Sequence, residues 1–288
     1  MANAAAKTSI GPIALIAVEQ YYPEEERIVE DNLAFRMLPG SSRIFVRLLK
    51  PRWMREWIIG LSERSQPGIW GGLLCRKRYI DEKLTACAGE IETVVNLGAG
   101  FDTRCFRLPS LSGKPVWEID QPENVRAKKG RLRQALGTIP SNVNLFSVDF
   151  DHDSLPAALE AKGYSLGRRT FFIMEAVTQY LTEDGMKATL EFLAKAARGS
   201  RLALTYVRKD FLAGTSLYGW ESGYKRFVLG NVWHYAMDSR ETTGLFAGYG
   251  WKVVEDRGYD ELAEQYLTSS RRNLHSTPVE RMVYAEKV

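Results

Sequence analysis

VVNLGAGFDTR, residues 94–104, is a short apolar run that stops abruptly at Gly98-Ala99-Gly100. A strand buried on both faces of a parallel sheet is apolar along its whole length. Glycines at its end let the backbone approach a ligand where a side chain would collide. Gly-x-Gly by itself is weak, because nucleotide folds of several kinds and plain turns share it. A dinucleotide fingerprint needs a third glycine at position 103, where Thr103 stands, and no Gly-Lys-Ser/Thr follows as a P-loop requires. The stretch therefore disfavours a phosphate cradle and fits a nucleoside without phosphates.

Downstream, β-rich runs alternate with helical ones. Residues 115–120 (PVWEID), 144–150 (NLFSVDF), 169–175 (RTFFIME) and 201–207 (RLALTYV) read as strands. Helical stretches fall at 123–136, 155–162 and 182–197, the last with Met186, Leu190, Leu193 and Ala197 at core-facing spacing. Strand then helix, repeated, predicts right-handed crossovers and a parallel sheet covered on both faces. Two further strand-like runs, 251–256 and 281–287, suit an antiparallel closure. Four strand ends in succession carry glycine or an acid: Gly98 and Gly100, then Asp120, Asp149 and Glu175. Asp120 stands where acids of Rossmann-like sites accept ribose hydroxyls, with Glu118 on the same face two residues earlier. The plainer readings are a surface charge for Asp120 and, for Asp149 with Asp151, Asp153 and Ser154, the start of a helix.

The chain divides into a helical cap (1–88), a core (89–207), an insertion (208–240) and final strands (241–288), within one domain. The insertion holds Phe211, Tyr218, Trp220, Tyr224, Phe227, Trp233 and Tyr235. It reads either as a helical subdomain packing its own aromatics or as a lid over a pocket at the strand ends. At 288 residues and 45% hydrophobic the chain buries an ample core without disulfides or a structural metal. Its net charge of +4 reads as a mild excess spread along the chain, not the basic stripe of a nucleic-acid binder. No apolar run approaches the roughly 20 residues of a membrane span. The apolar stretch 10–18 lacks the basic flank and cleavage site of a signal peptide. Cys75, Cys87 and Cys105, an odd number without CxxC, point to a reducing cytoplasm and no cysteine-based zinc site. With only His152, His234 and His275 besides, a metalloenzyme is disfavoured.

Taken together, CRKRYIDEKL, VVNLGAGFDTRCFRL, VWEIDQP, SVDFD and FFIMEAVTQYLTEDG resemble the leucine carboxyl methyltransferase family, and more closely its microbial S-adenosylmethionine-dependent O-methyltransferases. The resemblance implies a class I methyltransferase fold: Rossmann-like α/β, with a seven-stranded, mostly parallel sheet, a helical N-terminal cap and a helical insertion after strand five. It implies that Arg76 grips the cofactor carboxylate and that Gly98 and Gly100 lie along its methionine part. Asp120 would hold the ribose, Asp149 and Phe150 would meet the adenine, and Glu175 would lie close to the cofactor. Eukaryotic members have Leu at the position of Phe150. The founding activity methylates a protein C-terminal leucine; microbial relatives methylate small molecules, carboxylates included.

A small-molecule methyl acceptor is the expected partner, with neither nucleic acid nor membrane, and the oligomeric state is open. A carboxylate acceptor is already ionised and needs no base. A hydroxyl acceptor would want one, and His234, helped by Tyr180 or Tyr206, is the candidate, although a histidine in an aromatic insertion is ordinarily a packing residue. Arg104 and Arg107, with Asp102, read as braces of the glycine loop. Trp220, Tyr224 and Trp233 are the candidate pocket walls. Protein carboxyl methylation and a noncatalytic cofactor-binding regulator are the competing functions; a dinucleotide oxidoreductase is disfavoured by Thr103.

Overall fold

The computed structural model describes residues 10–150 and 152–288. Seven strands form one sheet in the order β3-β2-β1-β4-β5-β7-β6. They are β1 (Thr93–Leu97), β2 (Val116–Asp120), β3 (Val143–Ser147), β4 (Thr170–Met174), β5 (Arg201–Val207), β6 (Trp251–Gly258) and β7 (Glu280–Lys287). β1 to β5 pair in parallel, and β7 runs antiparallel to both β5 and β6. β1 has β2 on one side and β4 on the other, so the strand order reverses beside it. In open α/β sheets the crevice at such a reversal, outside the carboxyl ends of the strands, is where ligands bind.

The sheet is covered on both faces, and period-2 alternation sorts its side chains. Val94, Val116, Phe171 and Ile173 join the core shared with the N-terminal helices. Val95, Trp117, Phe172 and Met174 join the opposite core. Each fully buried side chain of this size contributes roughly 1.5–3 kcal/mol, which explains why β1 and β4 are buried at every residue.

The cap consists of α1 (Ile10–Glu19), α2 (Gly40–Leu48), α3 (Arg52–Ser65) and α4 (Ile69–Ala86). A buried ion pair, Glu19 with Arg272 at 2.6 Å, ties α1 to the segment before β7. α4 packs closely on that same segment: a methyl group at Gly71 would collide with the carbonyl oxygen of His275. The core helices are α5 (Pro122–Leu136), α6 (Leu155–Glu160) and α7 (Glu183–Leu193), followed by α8 (Thr242–Gly248) and α9 (Tyr259–Tyr266). Thr182 caps α7 by accepting the Gly185 N–H, as Ser154 caps α6 through Ala157. Helix capping near Asp149 thus falls to Ser154; Asp151 lies outside the described residues.

One expectation is corrected. The charge excess is concentrated, not spread: residues 40–65 hold six Lys/Arg and two Glu, a net +4 equal to that of the whole chain. No helix among the described residues is long and apolar enough to cross a membrane.

Candidate active site

At the carboxyl ends of β1, β2 and β4 lies a cavity whose wall includes Arg76, Gly98, Gly100, Asp120, Asp149, Phe150 and Glu175. The seven residues read as cofactor-binding thus meet around one space. The glycine loop explains itself locally. Gly98 sits at φ +72°, and any Cβ there would strike the side chain of Val177, so only glycine fits. Gly100 also has positive φ, and its N–H donates to Asp120 Oδ2 at 2.6 Å. Asp120 Oδ1 accepts from the Gln121 N–H and from Asn124 Nδ2, both at 2.7 Å. Asp120 therefore holds the loop against the N-terminal turn of α5. Glu118 faces the same helix, with Lys128 Nζ 2.7 Å from its Oε2, but it is buried beneath the cavity floor and lines none of it.

Glu175 closes the far wall under three cations. Arg76 Nε donates to its Oε1 at 2.8 Å, while Lys77 Nζ at 3.0 Å and Arg104 Nη1 at 2.6 Å donate to its Oε2. Burial pushes the Glu175 carboxyl up, yet Arg104, Lys77 and Arg76 outweigh it and hold the pKa at about 2. Glu175 is thus ionised throughout the working range and cannot trade protons near neutrality. Arg104 continues to Asp102 and Asp81, and Arg107 to Asp81, so Arg104 braces the loop through Asp102 while Arg107 joins it only through the shared Asp81. Ala176, directly after Glu175, takes a left-handed conformation at φ 55°, unusual for a residue with a Cβ. Its N–H is held by Thr205 Oγ1 at 2.7 Å.

A second chamber of about 480 Å³ adjoins the first, with Pro12, Arg76, Ala176 and Tyr180 belonging to both walls. Its other walls come from the cap and from the insertion, Trp220 and Trp233 among them. The insertion packs a core of its own and also lines the chamber. Phe211, Trp220 and Trp233 form their own core with Val207 and Val279, and two of these rings also face the chamber. Trp233 stacks on Phe227 with centroids 4.6 Å apart, and Trp220 Nε1 donates to the Pro67 carbonyl at 2.8 Å. Tyr224 packs edge-on against Phe211 instead and lines no part of the chamber. Trp233 Nε1 and Gln179 Oε1, both buried in that wall, have no hydrogen-bond partner.

The three residues expected as catalytic separate. Tyr180 stands in the shared wall. Tyr206 does not reach it: its hydroxyl donates to the carboxylate of Asp256 at 2.8 Å, and burial with that carboxylate raises its pKa. Strand alternation places it in the core opposite the N-terminal helices, and it lines neither cavity. His234 lines neither cavity. Its backbone N–H donates to the Gln179 carbonyl at 2.7 Å, which spaces the insertion against the residues after β4.

A family model described as leucine carboxyl methyltransferase matches residues 9–194 of this chain. The chain belongs to the leucine carboxyl methyltransferase family. A Mycobacterium avium relative, provisionally named an S-adenosyl-L-methionine-dependent methyltransferase, is 28% identical over 89% of this chain and 82% of its own. A Mycobacterium bovis relative of the same name is 30% identical over 73% of this chain and 74% of its own. A Streptomyces avermitilis protein of the duf574 family has the same fold, with a TM-score of 0.60 at 13% identity over 95% of this chain and 97% of that one. A Thermobifida fusca structure does so at 0.58 and 14%, over 94% and 97%. The protein is an S-adenosylmethionine-dependent methyltransferase with the class I fold.

The cavity suits that cofactor chemically. Cations (Arg76, Lys77) and acids (Glu175, Asp102) line it, groups that an amino-acid zwitterion could meet, and Asp120 lines it at the end of β2. Gln121, in the same wall, has a buried Oε1 without a hydrogen-bond partner, an acceptor left over for a ligand hydroxyl. Sequence reasoning missed Lys77, Asn96, Asp102, Gln121 and Asn124 as wall residues. The QPEN run after Asp120 could have suggested Gln121 and Asn124. Pro12 and Ile13 arrive from α1, and nothing local announces them.

Proposed function

We propose that this methyltransferase methylates an oxygen of a small, partly apolar molecule, and that the oxygen is a carboxylate in preference to a hydroxyl. The observation that carries the reading is the aromatic chamber sharing Arg76, Ala176 and Tyr180 with the cofactor cavity. A space of that size walled by Trp220, Phe227 and Trp233 suits a compact acceptor and excludes water. S-adenosylmethionine, when bound, supplies an electrophilic methyl group on a sulfonium.

The chain's residues then have positioning work to do. Asp120, Asp149 and Phe150 are assigned to the adenosine, Arg76 and Lys77 to the carboxylate of the amino-acid part, and Tyr180 to the boundary between the chambers. Trp233 Nε1 is a buried donor with no partner in the chamber wall, suited to an acceptor oxygen. Among the described residues no histidine or cysteine lines either cavity, which favours an acceptor already ionised at neutral pH.

The test is transfer of a radiolabelled methyl group from S-adenosylmethionine to a panel of aliphatic and aromatic carboxylic acids and the matching phenols. Base treatment distinguishes the products, since methyl esters release volatile methanol and ethers do not. Base-labile label in the small-molecule fraction supports the reading. Label confined to ethers rejects the carboxylate, and label confined to protein C-termini moves the function to protein carboxyl methylation.

A further inference from the structure

Ten large apolar side chains are exposed among the described residues, and six of them lie on α2 and α3: Ile44, Phe45, Leu48, Trp53, Trp57 and Leu61, each between 49 and 69% exposed. Scattered apolar residues are normal on a protein surface, but a contiguous patch signals a partner. Contiguity is shown by a shallow apolar groove that Phe45, Leu48, Trp53 and Trp57 line together across the two helices. The inner sides of the helices are spent on the core through Val46, Leu49 and Ile59, so the outer side is unpartnered by construction.

The same hairpin holds the chain's entire charge excess. Residues 40–65 have a net +4, with Arg47, Lys50, Arg52 and Arg64 exposed beside the apolar patch. Arg52 is paired with Glu26 and Glu56, while Arg47 lies over the Phe35 ring. Tryptophan at a polar–apolar boundary, leucine and phenylalanine beside it, and Lys/Arg at the rim are the composition of helices that lie in a bilayer interface. A second copy of this chain fits poorly, because a two-fold contact sets the same patch against itself and would face +4 with +4.

We infer that the α2–α3 hairpin docks on an anionic lipid surface, with Trp53 and Trp57 seated among the headgroups and the flanking cations over lipid phosphates. No membrane span is needed for this, so the lack of a long apolar run does not bear on it. Phe45, Leu49 and Ile58 line both this groove and the larger chamber behind it, so the hairpin is a shared wall between the two. The docking surface does not rest on the O-methylation reading.

The full chain should co-sediment with phosphatidylcholine vesicles containing about one-third phosphatidylglycerol, weakly with phosphatidylcholine alone, and less as salt screens the headgroups. Trp53→Ser with Trp57→Ser, and separately Arg47→Glu with Lys50→Glu and Arg64→Glu, should each lower vesicle affinity at least tenfold. Thermal melting and calorimetric S-adenosylmethionine binding in the same samples should be unchanged, which reads the methyltransferase site independently. If the tryptophan pair fails to fold, Trp57→Gln alone replaces it. Equal retention on both vesicle types, or variants that bind like the parent, would overturn the proposal. So would a dimer in sedimentation velocity that Trp53→Ser with Trp57→Ser dissolves, which would assign the patch to a second copy.

Discussion

Asp120 ties the glycine loop to α5 and is the carboxylate proposed for the ribose. It accepts three hydrogen bonds from Gly100, Gln121 and Asn124 while facing the cofactor cavity. Hydrogen bonds to a charged group are worth roughly 1.5–3 kcal/mol each, so Asp120→Ala should lower S-adenosylmethionine affinity tenfold or more. Calorimetry on a variant shown by circular dichroism to be folded checks this, and unchanged affinity would remove Asp120 from the ribose. Glu175 predicts a pH dependence. Its folded pKa of about 2 lies below the unfolded value near 4.3. A depressed carboxyl stabilises the fold above its unfolded pKa, and that contribution is lost as pH falls through about 4 toward 2. The contribution is on the order of 3 kcal/mol. Urea unfolding of the cofactor-free protein should show stability falling between pH 5 and pH 3, and Glu175→Gln should flatten that fall. Equal slopes in parent and variant would remove the ion cluster as its cause. At this scale glycines and acids at strand ends were legible, because each has a conformational or chemical reason to be there. Tyr206 was not: a tyrosine within an apolar strand looks the same whether its hydroxyl meets a ligand or Asp256.

Elements were legible in proportion to how completely they are buried. β1 and β4 are buried throughout and mostly apolar because both faces are covered, and their positions follow from that composition. The cap is different. α2 and α3 place apolar residues both inward and outward, so periodicity identifies helices without saying which face packs. Where α4 lies is decided by Gly71 and by its partner at His275, a segment far removed in sequence. Gly71→Ala should therefore cost about 1–3 kcal/mol by overpacking, although alanine is the better helix former. Gly60, on α3 with open space where a methyl group would stand, is the internal control: Gly60→Ala should gain up to about 1 kcal/mol. Urea denaturation of the pair decides the point, and two variants of equal stability would mean that the close approach is not what constrains α4.

At the scale of the whole molecule the work is divided between two surfaces. The sheet edge, contiguous enough in sequence to be read in advance, builds the cofactor cavity. The cap and the insertion, joined across 153 residues by Trp220 and Pro67, build the chamber proposed for the acceptor and were legible only as a tendency of the insertion to be aromatic. That division predicts opposite kinetic signatures. Trp233→Ala should leave cofactor affinity within about twofold of the parent and lower turnover at least tenfold, through lost apolar contact and the lost Nε1 donor. Asp120→Ala should act chiefly on cofactor affinity. His234→Ala should leave the pH profile of turnover unchanged, because His234 lines neither cavity. With a carboxylic acid as acceptor, the group to be ionised titrates near pKa 4 and Glu175 is ionised well below that, so kcat should persist as pH falls to about 5. A loss of kcat centred near pH 6.5 in the parent, abolished in His234→Ala, would restore the histidine base and make a hydroxyl the acceptor.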